Sequence, residues 1–131
     1  MPDPDQTAFL EETLGFDGFE LEGEELARGR LTVADRVRQP FGIVHGGAMA
    51  ALAESVTSRA TYEAVKPEMI AVGQSNETKF LRPVSEGTID AVARVRHRGR
   101  TTWIWDVEMS DDEGRLCALC RMTIAVRPMP S

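Results

Sequence analysis

The chain has 131 residues and a formal net charge of −6, with 42% hydrophobic and 27% charged residues. These values suit one globular domain over residues 1–131 and exclude intrinsic disorder, because the apolar content is enough to offset the entropy of folding. No stretch approaches the roughly 18 apolar residues of a membrane span, the acidic segment Met1 to Leu10 lacks the marks of a secretory signal, and the negative balance opposes non-specific binding to nucleic acid.

The spacing predicts a short helix over 5–14, with Asp5 as its cap and Gly15 just past its end. Strands follow at 18–23 and 25–33, the second with Leu31 and Val33 on one face. Pro40 and Gly42 mark 34–44 as a loop. A long alanine-rich helix covers about 46–65, where Met49, Leu52, Ala53, Val56, Ala60 and Ala64 form one apolar stripe and Pro67 sets the end. Four strands complete the chain at 69–81, 88–97, 101–110 and 115–127. The last three alternate with period two, and Asp111-Asp112-Glu113-Gly114 turns the final hairpin. One long helix against one antiparallel sheet is an α+β sandwich of two layers.

Cys117 and Cys120 have Cys-x-x-Cys spacing, but they lie in a strand, where positions i and i+3 face opposite ways. Packed thiols account for them better than a redox pair, and no second ligand pair exists for zinc. Without a disulfide framework the expected compartment is the reducing cytoplasm. Neither a metal nor a cofactor motif is present. Arg94, Arg96, Arg98 and Arg100, with Arg82, could hold a phosphorylated ligand or form a solvated strand end, and His97 among them reads as a surface residue.

The chemistry-bearing segment is Gln39-Pro40-Phe41-Gly42-Ile43-Val44-His45-Gly46-Gly47-Ala48. It runs into the long helix through two glycines. A helix start has unpaired N–H groups and partial positive charge, so it can bind an anion or polarise a carbonyl. Glu54 stands mid-helix, with Ser58 one turn beyond it. Nine residues separate His45 from Glu54, which places them on opposite sides of the helix and about 13 Å apart along it. One chain does not bring both to one small substrate, so if both are catalytic a second subunit completes the site. The alternative is that Glu54 belongs to a solvated face with Ser58 and Thr61.

The segment from Gln39 to Ala48, followed by Leu52-Ala53-Glu54-Ser55, resembles the hotdog-fold acyl-CoA thioesterases, above all the branch of the Arthrobacter-type 4-hydroxybenzoyl-CoA, 1,4-dihydroxy-2-naphthoyl-CoA and phenylacetyl-CoA thioesterases. The likeness runs from about residue 15 to 127 and includes Gly114-Arg115-Leu116-Cys117. It implies a helix wrapped by a curved antiparallel sheet, subunits that pair their sheets, a dimer of dimers and a site at the dimer interface. It also implies that Gln39 and the Gly47 N–H contact the thioester carbonyl, that Gly46 lies at the substrate and that His45 positions the loop. In the same way it implies that Glu54 of a partner is nucleophile or general base and that Ser58 holds the acyl end or the water. For coenzyme A it points to Arg82, Arg100, Thr101 and Thr102, and beyond these to Arg121 or Arg127. Phe80 departs from relatives that have histidine there.

The expected function is therefore hydrolysis of an acyl-CoA, aromatic acyl groups among the candidates, without a cofactor. A hydratase or dehydratase of the same fold and a non-catalytic acyl-CoA-binding protein are the alternatives. Phe41, Tyr62 and Met69 are the candidate acyl-lining residues.

Overall fold

The computed structural model describes residues 9–130. In chain order the elements are α1 (Leu10–Leu14), β1 (Phe16–Glu22), β2 (Leu26–Thr32), a 3-10 turn (Asp35–Val37), α2 (Gly46–Val65), β3 (Met69–Phe80), β4 (Thr88–Arg98), β5 (Thr102–Ser110) and β6 (Leu116–Pro128). The six strands form one sheet in the order β1-β2-β4-β5-β6-β3, antiparallel throughout. The sheet curves around α2, which touches every strand.

The long helix begins and ends where its sequence requires. His45 is the N-cap, and the chain leaves the helix at Lys66 ahead of Pro67. Met49, Leu52, Ala53, Val56 and Ala60 are buried, as their helical spacing demands, and Ala64 is half-buried. Close contact with the sheet needs small residues. A Cβ on Gly29 of β2 would overlap Val56 Cγ2, so helix and strand approach at a distance only glycine permits.

The inner face of the sheet is read directly from the period of two. Ile89, Ala91 and Ala93 of β4, Trp103, Trp105, Val107 and Met109 of β5, and Ala118, Cys120, Met122, Ile124 and Val126 of β6 are all buried. Trp103 and Trp105 stack with centroids 6.1 Å apart. Leu116 departs from the pattern. A register shift beside Met109 and Ser110 puts Cys117 in the interior as an extra residue and leaves Leu116 37% exposed. Both thiols are free and buried, and burial is the main cause that pushes each above its ordinary pKa, so they are packed and unreactive.

Other boundaries shift for local reasons. Gly15 adopts the left-handed conformation (φ 76) at the end of α1, and the chain extends at once from Phe16. The expected Asp5 cap lies outside the described residues, and Phe9 stands at the N-cap of α1. Val33 falls just beyond β2 and is half-buried. In the last hairpin Gly114 has φ 76, and Asp111 Oδ1 accepts from the Glu113 and Arg115 amides, each at 2.9 Å.

Thr61 does not belong to a solvated face. It is fully buried, accepts from Trp105 Nε1 at 2.9 Å and donates to the Thr57 carbonyl at 2.8 Å. Thr61→Val keeps the shape and removes the acceptor, leaving the indole N–H unpaired. The expected cost is about 1–3 kcal/mol, read as a lower denaturant midpoint at unchanged slope.

Candidate active site at the start of the long helix

The loop before α2 is held from below. Val37 and Val44 are buried, the His45 amide donates to the Val37 carbonyl at 2.7 Å, and the Val44 amide donates to the Val84 carbonyl at 2.8 Å. Arg38 pairs with Asp35 at 2.7 Å and donates to the Ser85 carbonyl. The tip closes on itself, because Gln39 N–H donates to Ile43 and Gly42 N–H donates to the Gln39 carbonyl, both at 2.9 Å. Gly42 has φ 85, which explains a glycine in this tight tip.

Gln39 Oε1 accepts from the Phe41 amide at 2.6 Å. Its side-chain NH2 has no acceptor among the described residues and remains available as a donor. His45 accepts the Gly47 amide on Nδ1 at 2.9 Å. That bond uses Nδ1 as an acceptor and leaves Nε2 without a partner among the described residues. The Gly47 N–H, which the resemblance places at the thioester carbonyl, donates to this cap. The open donor is the Gly46 N–H, the first residue of the helix, which has no acceptor among the described residues. Telling the two amides apart needed the ring position of His45, which no sequence pattern carries. The Phe80 ring lies against Gly46, where a Cβ would meet it at 2.8 Å.

Glu54 is exposed on α2, two and a half turns from His45, and the unbroken helix keeps them apart within one chain. Its carboxylate lies over β3: a Cβ on Gly73 would meet Glu54 Oε2 at 2.9 Å. After Gly73 the register of β3 against β6 shifts, a bulge beside the carboxylate. The Glu54 charge also adds to the upward push on the nearby Cys120 thiol, behind the larger effect of burial. Glu54 and Ser58 together line a groove of about 610 Å³ between α1 and α2. Its other walls include Phe9, Leu10, Phe16 and Ala51, which sequence reasoning missed. Only the docking of α1 beside α2, with Ser55 Oγ donating to Glu11 Oε1 at 3.2 Å, brings these distant residues together.

The expected acyl-lining residues are elsewhere. Phe41 is 88% exposed at the loop tip, while Tyr62 and Met69 are half-buried near the far end of α2, and none of the three lines this groove.

The expected coenzyme A residues fall at two ends of the sheet. Arg82 follows β3, at the end that carries Phe80 and Gly46. Arg100 and Thr101 sit in the β4–β5 turn, and Thr102 opens β5, at the opposite end, a β5 length away, or roughly 30 Å. One chain does not join them. Within the arginine cluster, Arg96 pairs with Asp106 at 3.3 Å and Arg98 with Glu24 at 2.6 Å, with Arg98 also over the Trp103 ring. Arg121 is paired with Asp106 at 2.8 Å, and Arg127 donates to the Thr101 carbonyl. Arg94, Arg100 and His97 are exposed. Among the described residues no cluster of side chains has the makings of a metal site, and no helix is long and apolar enough to cross a membrane.

A family model described as the thioesterase superfamily matches residues 41–118. The chain is 36% identical over 108 residues to the 1,4-dihydroxy-2-naphthoyl-CoA hydrolase of Escherichia coli K12, covering 82% of this chain and 79% of that one. It is 37% identical over 117 residues to the proofreading thioesterase EntH of Cronobacter turicensis, covering 89% and 85%. A crystal structure of a mutant of thioesterase PA1618 from Pseudomonas aeruginosa superposes with a TM-score of 0.87 at 38% identity, over 92% of this chain and 86% of that one. The wrapped helix, the glycine-led helix start and these likenesses agree: the chain belongs to the thioesterase superfamily, a thioester hydrolase of the hotdog fold.

Proposed function

We propose that the protein hydrolyses acyl-CoA thioesters to the free acid and coenzyme A at a site built from two copies of the chain. One observation carries this reading. The open Gly46 amide and the Glu54 carboxylate stand eight residues apart on α2, about 12 Å along its axis, and both positions face β3, an edge strand of the sheet, Gly46 at Phe80 and Glu54 at Gly73. β3 is 12 residues long, and an unpaired edge of that length invites pairing. Two-fold pairing of β3 with its copy would continue the sheet and carry each Glu54 toward the other chain's helix start.

In this arrangement the thioester carbonyl oxygen accepts from Gly46 N–H and the Gln39 NH2, with the positive end of α2 behind them. These donors gain strength as the oxygen becomes an oxyanion. Glu54 of the partner takes a proton from water as the water oxygen attacks the carbonyl carbon. Ser58, one turn along, holds that water. Collapse of the tetrahedral intermediate restores the C=O and breaks the C–S bond, and the departing thiolate takes the proton from Glu54 to leave as coenzyme A. His45 is a positioning residue, which caps Gly47 and keeps the helix start in place. Arg82 stands at the end of the sheet where the leaving thiol emerges, and Arg100, Thr101 and Thr102 can reach the nucleotide only from another chain, in keeping with a dimer or a dimer of dimers.

The test is thiol release by the purified protein over a panel of aromatic and aliphatic acyl-CoAs. Turnover of at least one of them, with first-order dependence on enzyme, is expected. No release from any thioester, beside hydration of an enoyl-CoA, would move the site to the hydratase class.

A further inference from the structure

The groove between α1 and α2 has a composition that the hydrolytic step does not use. Phe9 and Leu10 are 48% and 58% exposed on its wall, a costly arrangement for adjacent large apolar side chains unless something apolar covers them. Its volume, about 610 Å³, is in the range of small-molecule pockets. Its charge is one-sided. Glu11 and Glu12 stand on the α1 wall and Glu54 on the α2 wall, against a single cation, Arg59, whose guanidinium lies over the Phe19 ring at 4.1 Å.

We propose that this groove receives the acyl tail of the substrate and selects neutral apolar acyl groups over those that end in a carboxylate, with Phe9 and Leu10 as the selecting wall. The inference rests on the hydrolytic reading only for the end from which the tail enters. A carbonyl carbon held beside Glu54 and Ser58 leaves its substituent running along α1. A neutral chain gains by covering Phe9 and Leu10. A carboxylate-tipped chain meets the like charges of Glu11 and Glu12 and gives up part of its hydration against the apolar wall. Phe9 and Leu10 are thus specificity-determining residues, remote from the bond that breaks.

Binding of non-hydrolysable thioether analogues tests this without requiring turnover. Calorimetry would compare butyl, hexyl and octyl thioethers of coenzyme A, and a hexyl thioether tipped with a carboxylate, on the wild type, on the Phe9→Ser/Leu10→Ser double variant and on Glu12→Gln. Each added methylene should tighten wild-type binding about threefold, and the double variant should flatten that dependence. The carboxylate-tipped analogue should bind about tenfold more weakly than its neutral counterpart, and Glu12→Gln should narrow the gap. The proposal is overturned if chain length does not affect wild-type binding or affects both proteins equally. It is likewise overturned if the tipped analogue binds as well as the neutral one, or if the double variant loses self-association instead, which would give the groove to a second copy. Failure of the hydrolytic reading would show separately, as tail-dependent binding with no thiol released from any thioester.

Discussion

Glu54→Gln is expected to lower kcat by about 10²- to 10⁴-fold, the usual contribution of a positioned general base, while melting temperature and oligomeric state stay at wild-type values. Glutamine has nearly the same shape, so it can rest over Gly73 as glutamate does. It cannot accept a proton from water. Because Glu54 is exposed and its carboxylate makes no ion pair or hydrogen bond with another described residue, its loss leaves no buried partner stranded. The effect should therefore fall on kcat, with KM little changed. Thiol release under saturating acyl-CoA measures it, and a variant within about threefold of wild type would remove the carboxylate from the mechanism.

Gly46→Pro should cost about 10²- to 10³-fold in kcat, the scale of losing one oxyanion donor. The position makes this substitution unusually clean. Gly46 is the first residue of α2, where proline is favoured because that N–H has no helical partner. His45 before it has ψ 130, the extended conformation that a following proline prefers. The change therefore deletes the proposed donor and leaves the helix start intact. It also adds a Cβ against the exposed Phe80 ring, so Gly46→Ala is the control: it brings the same contact and keeps the N–H. Gly46→Ala should retain most of the activity that Gly46→Pro loses. Equal losses in the two variants would trace the effect to the displaced Phe80.

The elements were legible where the pattern is local. The α2 boundaries follow from its glycine start and Pro67, and the buried faces of β4 and β5 follow from strict alternation. What stayed hidden depends on contacts between residues far apart in the chain. Nothing in the period of β3 says that it pairs with β6 and stands at an edge of the sheet. Alternation could not foresee the bulge that turns Leu116 outward. In the site, the helix spacing sets His45 and Glu54 two and a half turns apart, and α2 runs unbroken between them. The choice between Gly46 and Gly47 turned on a single side-chain cap. The separation of Arg82 from Arg100 turned on which strand ends lie together. The groove walls Phe9, Leu10 and Phe16 were silent in the sequence because an apolar residue beside a short helix looks the same whether it fills a core or lines a pocket.

Mixing two inactive variants tests the shared site most directly. Glu54→Gln keeps its helix start, and Gly46→Pro keeps its carboxylate. If each site takes one part from each chain, a dimer of one Glu54→Gln chain with one Gly46→Pro chain contains one intact site. Co-refolded at equal amounts, the pair should then recover about a quarter of wild-type activity, since about half the dimers are mixed and each has one working site of two. No recovery, in a mixture shown by mass spectrometry to contain the mixed dimer, would mean that one chain carries both groups and would contradict the account.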